Sequence, residues 1–222
     1  MPQPHSQTAH DMADLNNGVC VTKADSSMPA SFWRELVALH RLEIQRGFIS
    51  SLNPKFLESI YKSIARSNDA FLLVATETGT GSLLGFICGS TNTKATLVQV
   101  MLRSGIGLVL SLLPNAISFR TIRKMFETVR YANGKVDLGT LPRAEILNFC
   151  VDRRVQGKGI GSMLFAALRN EFRLRAVKQI RIVTGESQIS AQRFYEAVHA
   201  RRAGNLQIHD NSRSVVFVYD IH

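Results

Sequence analysis

"VDRRVQGKGIGSMLFAAL", residues 151–168, is the stretch whose reading decides the fold. An apolar run ends at Val151, glycines alternate at Gly157, Gly159 and Gly161, and a helical pattern follows. The first N–H groups of a helix have no intrahelical acceptor and lie at the positive end of its dipole. A strand that runs through a glycine-rich turn into a helix is therefore suited to holding an anion. Glycine allows positive φ and lets the backbone come close to a ligand. Two better-known phosphate loops fail on spacing. A GxxxxGK[ST] loop would need Ser or Thr after Lys158, and Gly159 stands there. A GxGxxG dinucleotide loop would need a third glycine where Ser162 stands, and no acidic ribose partner follows on a second strand. A plain strand–turn–helix connection stays open, but alternate glycines with Lys158 among them favour a phosphate.

Outward from this loop the chain reads as alternating strands and helices. Residues 144–152, "AEILNFCVD", form a strand before the loop, and a helix runs from about Gly159 to Ala176. "KQIRIVTG" (178–185) is a strand, "QISAQRFYEAVHA" (188–200) a helix, and "ARRAGNLQIH" and "RSVVFVYDI" close the chain as strands. Upstream, "GVCVTKAD" (18–25) is a first strand and a helix follows Pro29, with Phe32, Leu36, Leu39 and Ile44 near helical spacing. Asn53-Pro54 opens a second helix, with Pro in its first turn. "DAFLLVATET" (69–78) and "SLLGFICGST" (82–91), split by "GTG", read as an antiparallel hairpin. Residues 92–140 are predicted to be a helical hairpin inserted between strands, broken at Pro114 and ending in a loop.

The 222 residues suit one large domain, 18–222, behind an N-terminal tail (1–17) expected to be disordered. That tail has no apolar h-region, so no signal peptide is expected. The longest nearly charge-free run, Ser104 to Phe119, is shorter than the roughly 20 residues a spanning helix needs. Three cysteines without CxxC spacing argue against disulfides and zinc, and the six histidines form no ligand motif. No metal and a reducing, cytoplasmic setting are expected. The net charge is +10, distributed as −1 over residues 1–91, +5 over 92–140 and +6 over 141–222. The basic middle and C-terminal half favour an anionic partner: a phosphate-bearing cofactor, a membrane surface or a nucleic acid. No nucleic-acid-binding motif accompanies the charge, so no specific nucleic acid is expected.

The segment "LNFCVDRRVQGKGIGSMLFAAL" resembles the acetyl-CoA loop of the GNAT acyltransferase superfamily. Its pattern is Arg/Gln-x-x-Gly-x-Gly/Ala after a strand ending in Val-Asp, matched here by Gln156, Gly159 and Gly161. Downstream, "SAQRFYEAVHARRAG" is similar to the family's next motif, through Ala191, Phe194, Tyr195 and Glu196. The likeness covers residues 141–205. It implies an α/β (α+β) fold with a central, mostly antiparallel twisted sheet of about seven strands, splayed at the cofactor site and flanked by helices. The 92–140 segment lies outside the common core of that fold.

The resemblance also implies roles. Phe149, Cys150 and Val151 lie on the strand that pairs with the pantetheine arm, with Phe149 and Val151 at the pairing positions. The pyrophosphate falls to the amides of Gln156, Gly157, Lys158, Gly159, Ile160 and Gly161, and to Ser162. Lys158 and Arg154 are extra cations for the ADP phosphates or else ordinary solvent-facing charges. The implied reaction is acetyl transfer from acetyl-CoA to a primary amine. It needs the amine's proton removed, the oxyanion met by an N–H and the leaving thiolate protonated. The Val151 amide is the expected oxyanion donor and Tyr195 the general acid. Strict alternation puts Glu145, Leu147, Phe149 and Val151 on one face, which makes Glu145 the candidate general base. The alternative is a strand-end carboxylate in solvent or paired with Arg143. Cys150 reads as a buried apolar thiol rather than a nucleophile. Gln188 stands where the family's commonest form has an Asn that contacts pantetheine, and His199-Ala200 replaces a usual Gly-Phe.

The acceptor is expected to be a small-molecule amine such as an amino sugar, with a protein or peptide amine next. A non-catalytic CoA-binding regulator is the reading from another class, against which intact Glu145 and Tyr195 argue. For the insertion four roles stay open: capping the acceptor pocket, forming a homodimer, lying peripherally on an anionic membrane, or simply covering the sheet.

Overall fold

The computed structural model describes residues 18–44, 53–103, 141–209 and 212–222. The N-terminal tail and residues 104–140 of the insertion lie outside these. In chain order the elements are β1 (Val19–Ala24), α1 (Ala30–Glu43), α2 (Pro54–Ala65), β2 (Ala70–Glu77), β3 (Leu83–Ser90), α3 (Thr93–Arg103), β4 (Glu145–Val151), α4 (Ile160–Leu174), β5 (Gln179–Gly185), α5 (Ile189–Ala197), β6 (Arg201–His209) and β7 (Ser212–Asp220). The seven strands form one sheet in the order β1-β2-β3-β4-β5-β7-β6. All neighbours are antiparallel except β4 and β5, which run parallel.

Local chemistry accounts for several boundaries. Asn53 caps α2 by accepting a hydrogen bond from the Lys55 N–H (2.9 Å), and Pro54 takes the first helical position. Asn92 accepts from the Ala95 N–H (3.2 Å) at the start of α3. The sheet separates two apolar layers. On one face α4 buries Leu164, Phe165, Leu168 and Phe172, joined by Tyr195 of α5. On the other, α1 and α2 bury Trp33, Leu36, Leu57 and Tyr61. His40 is buried with them, its Nδ1 2.5 Å from the Tyr61 hydroxyl, and burial lowers its pKa to about 4. Ile189 is exposed, because Gln192 and Tyr195 carry the buried face of α5.

The strict alternation expected of β4 does not hold. Cys88 of β3 faces Asn148, and Gly89 faces Ile146, so Leu147 is an extra residue. Such a bulge shifts every later side chain to the opposite face. Leu147 and Cys150 pack into the α1–α2 layer, while Ile146, Phe149 and Val151 pack toward α4. Glu145, next to Ile146, therefore shares a face with Leu147 and Cys150 and not with Phe149 and Val151. The bulge sits beside Gly89, where a Cβ would stand 2.4 Å from Phe71 Cζ. That close approach of the Phe71 ring leaves no room for a side chain on β3 there.

Candidate active site

The sheet opens between β4 and β5. They pair only at Glu145↔Arg181 and Ile146↔Ile182; beyond these each strand keeps its other neighbour and the two separate. Alternation shows which backbone groups border the cleft. The Asp152 N–H donates to Leu84 O on β3 (2.9 Å), so Asp152 and Cys150 direct their backbone groups at β3. Phe149 and Val151 then point theirs into the cleft. Across it, the Arg181 N–H donates to Ala144 O (2.9 Å), which turns the backbone groups of Val183 and Gly185 the same way. Gly185 is satisfied by its own side: its N–H donates to Gln188 Oε1 (3.1 Å), and its carbonyl accepts from Gln192 Nε2 (3.1 Å). The Val151 carbonyl accepts from Gln156 Nε2 (2.8 Å).

At the mouth of the cleft lies the glycine loop. A single 3-10 turn, Arg153–Val155, leads from Asp152 to Gln156. The Arg153 N–H and Nε both donate to Glu43 Oε1 (3.3 and 3.1 Å), which ties the loop to the end of α1. Gly157 and Gly159 have φ of +78° and +82°. An added Cβ would meet nothing at either, so backbone conformation and not space demands glycine there. Gly159 caps α4 without a side-chain hydrogen bond. The N–H groups of residues 156–162 have no acceptor among the described residues. Lys158 is exposed beside them, whereas Arg154 folds back onto Asp152 (3.0, 3.0 and 2.5 Å). Gly161 is different: its φ is ordinary, and a Cβ would lie 3.5 Å from Phe149 and 3.7 Å from Phe194.

The expected side chains divide. Tyr195 packs against Phe194 and Phe217 on the α4 face, in the same apolar layer as Phe149 and Val151. Burial pushes its hydroxyl above the ordinary tyrosine range, so it stays protonated at neutral pH. No described residue hydrogen-bonds that hydroxyl. Gln188 spends its carbonyl oxygen on Thr184 Oγ1 (2.8 Å) and the Gly185 N–H, bracing the end of β5. Cys150 was expected with the cofactor residues, but its backbone faces β3 and its thiol lies in the α1–α2 layer. Burial raises that thiol's pKa, which keeps it in the protonated, apolar form.

Glu145 stands at the closed end of the cleft, paired with Arg181 rather than Arg143. Its Oε2 accepts from Arg181 Nε (2.9 Å) and Nη2 (2.6 Å), and from Thr93 Oγ1 (2.9 Å). Sequence reasoning missed both partners. The available signal was a charged residue inside the apolar strand "IRIVTG"; its partner depends on a parallel register that no local pattern encodes. Among the described residues no His/Cys/Asp/Glu group could hold a metal ion. No described helix is long and apolar enough to cross a membrane.

A sheet wedged open between parallel strands, with free amides at the mouth of the wedge, is the framework of an acyl-CoA-dependent transferase. Residues 33–200 match the model of the acetyltransferase (GNAT) family, and the chain belongs to that family. It is an acetyl-CoA-dependent N-acetyltransferase. No curated protein sequence matches the chain. Its fold is similar to that of an N-acetyltransferase from Staphylococcus aureus Mu50 (TM-score 0.57, 13% identity, 92% of this chain and 99% of that one). It is also similar to the ribosomal-protein-S18-alanine N-acetyltransferase from Escherichia coli (0.55, 11%, 91% and 94%). A third likeness is to NAA60 from Arabidopsis thaliana, solved with a bisubstrate analogue (0.55, 15%, 92% and 98%).

The residues fit acetyl-CoA. The amides from 156 to 162 lack acceptors among the described residues, as a pyrophosphate would require. The strand edges at Phe149 and Val183 lack partners among the described residues, as an extended pantetheine arm would require.

Proposed function

We propose that this chain acetylates a primary amine by direct transfer, with Glu145 as general base and Tyr195 as general acid. The observation that carries the proposal is the cleft itself, which has backbone donors on one wall, a carboxylate at its closed end and a protonated phenol among the side chains of its α4 face. The amides of Gln156 to Ser162 would hold the pyrophosphate, with Lys158 adding charge. The backbone groups of Phe149 and Val183 would align the pantetheine arm. Acetyl-CoA supplies an activated thioester carbonyl.

The remaining work belongs to the chain's own groups. Glu145 takes the amine's proton, directly or through a water. A cleft-facing N–H of β4 meets the developing oxyanion. Val151 is the donor implied by resemblance, but it lies six residues from Glu145, roughly 20 Å along a strand. Phe149 is four residues away, roughly 13 Å, and the bulge at Leu147 shortens this further. Base and oxyanion donor must serve one carbon, so the Phe149 N–H takes the role. Tyr195 gives its proton to the departing sulfur.

The acceptor is proposed to be a small molecule with a primary amine, such as an amino sugar. The test is CoA release with the full-length protein and a panel holding amino sugars, polyamines, free amino acids and short peptides. Turnover with a small amine supports the acceptor class, and turnover with peptides alone replaces it by a peptide amine. Tight acetyl-CoA binding without turnover for any acceptor would favour a regulatory CoA-binding protein.

A further inference from the structure

At the closed end of the cleft three elements converge on one oxygen atom. Arg181 is the cross-strand partner of Glu145 in the sole parallel register among the described strands. It donates twice to Oε2, and Thr93, the first residue of α3, donates to the same atom. Oε1 accepts no hydrogen bond from any described residue. An arginine facing a carboxylate commonly engages both oxygens. Here three donors crowd one oxygen, and no described residue donates to the other. The pair is largely withdrawn from water, with side chains 16% and 15% exposed. Thr93 is itself anchored, because its N–H and Oγ1 both approach the Arg143 carbonyl (3.3 and 3.4 Å). The carboxylate cannot turn without breaking contacts to β5 and α3 together.

We propose that Arg181 and Thr93 are positioning residues, which hold Oε2 so that Oε1 alone is presented to the acceptor amine. The inference rests on the reading of Glu145 as the base. In the step itself the N–H bond breaks and its electron pair stays on nitrogen. An O–H bond forms at Oε1, and the carboxyl later releases that proton to water. Arg181 keeps its charge throughout and touches neither the acetyl group nor the amine.

The test is steady-state CoA release by the full-length protein, with the amine found in the panel or with water as acceptor. The variants are Glu145→Gln, Thr93→Val, Arg181→Lys and the double variant Thr93→Val/Glu145→Gln, each with its melting temperature and its KM for acetyl-CoA. Glu145→Gln is expected to lower kcat about 10²-fold. Thr93→Val removes one donor at nearly constant shape and is expected to lower kcat about tenfold with KM for acetyl-CoA unchanged. Arg181→Lys keeps the charge but not the fork, and should fall between wild type and Glu145→Gln. Adding Thr93→Val to Glu145→Gln should cost nothing more, since a positioning residue acts only through the carboxylate. Equal losses in both backgrounds would make Thr93 merely structural and overturn the inference. So would wild-type kcat in Thr93→Val and Arg181→Lys while Glu145→Gln is impaired, although the base would then stand. Wild-type kcat in Glu145→Gln would instead remove the base reading.

Discussion

The two ends of β4 are built of different materials. From Phe149 through the loop to Ser162 the site is made of backbone: cleft-facing amides, two glycines at positive φ and the first turn of α4. At Glu145 it is made of side chains contributed by β4, β5 and α3. Backbone geometry follows from local residue types, so the first end leaves a signature in consecutive residues. Side-chain geometry follows from register and packing, so the second end leaves almost none. The loop end is therefore recognisable from a short motif, whereas the Glu145 end is visible only in the folded chain.

The comparison can be broken most severely at the loop. Gly159→Asp places a carboxylate among the phosphate-facing amides and a Cβ at φ +82°. It should weaken acetyl-CoA binding by roughly 10³-fold or more by titration calorimetry; unchanged affinity would remove the loop from the site. Tyr195→Phe should lower kcat by about 10²-fold while leaving the acetyl-CoA Kd nearly untouched. A loss of affinity equal to the loss of rate would make the tyrosine a packing residue.

Smaller effects sharpen the contrast. Gly89→Ala drives a methyl group to 2.4 Å from Phe71 beside the bulge that sets the face of Glu145. It should destabilise the fold by about 1–3 kcal/mol and lower the melting temperature. An unaltered melting temperature would mean that Phe71 moves freely and that the bulge does not depend on that glycine. Gly161→Ala is the subtlest. Its Cβ makes ordinary contacts with Phe149 and Phe194 in the free protein, and alanine favours a helix. Stability should hold or rise slightly while acetyl-CoA affinity falls about tenfold, near 1.4 kcal/mol. Undiminished affinity would show that the opening beside Gly161 is not used.

Strand and helix order was legible wherever periodicity was strong. β2, β3, β7 and the two helices α4 and α5 fall within a few residues of their expected limits. The seven-stranded, mostly antiparallel sheet also matches the expectation. What failed was alternation along β4, where one extra residue at Leu147 put Glu145 on the face of Cys150 and not on that of Phe149 and Val151. The bulge lies beside Gly89, which packs against Phe71 and Phe172, and neither ring is near β4 in sequence.

By itself the sequence determined that a glycine turn opens α4 with its first amides free to meet a ligand, that glycine suits 157 and 159, and that a tyrosine follows on α5. These are local properties: a positive φ admits few residues, and a helix start leaves its amides free whatever surrounds it. Only the tertiary structure decided that β4 and β5 part after two residue pairs, that Cys150 turns away from the cleft, and that Glu145 meets Arg181 and Thr93. Those contacts join residues 36 and 52 positions apart, and they exist only once the strands have found their register.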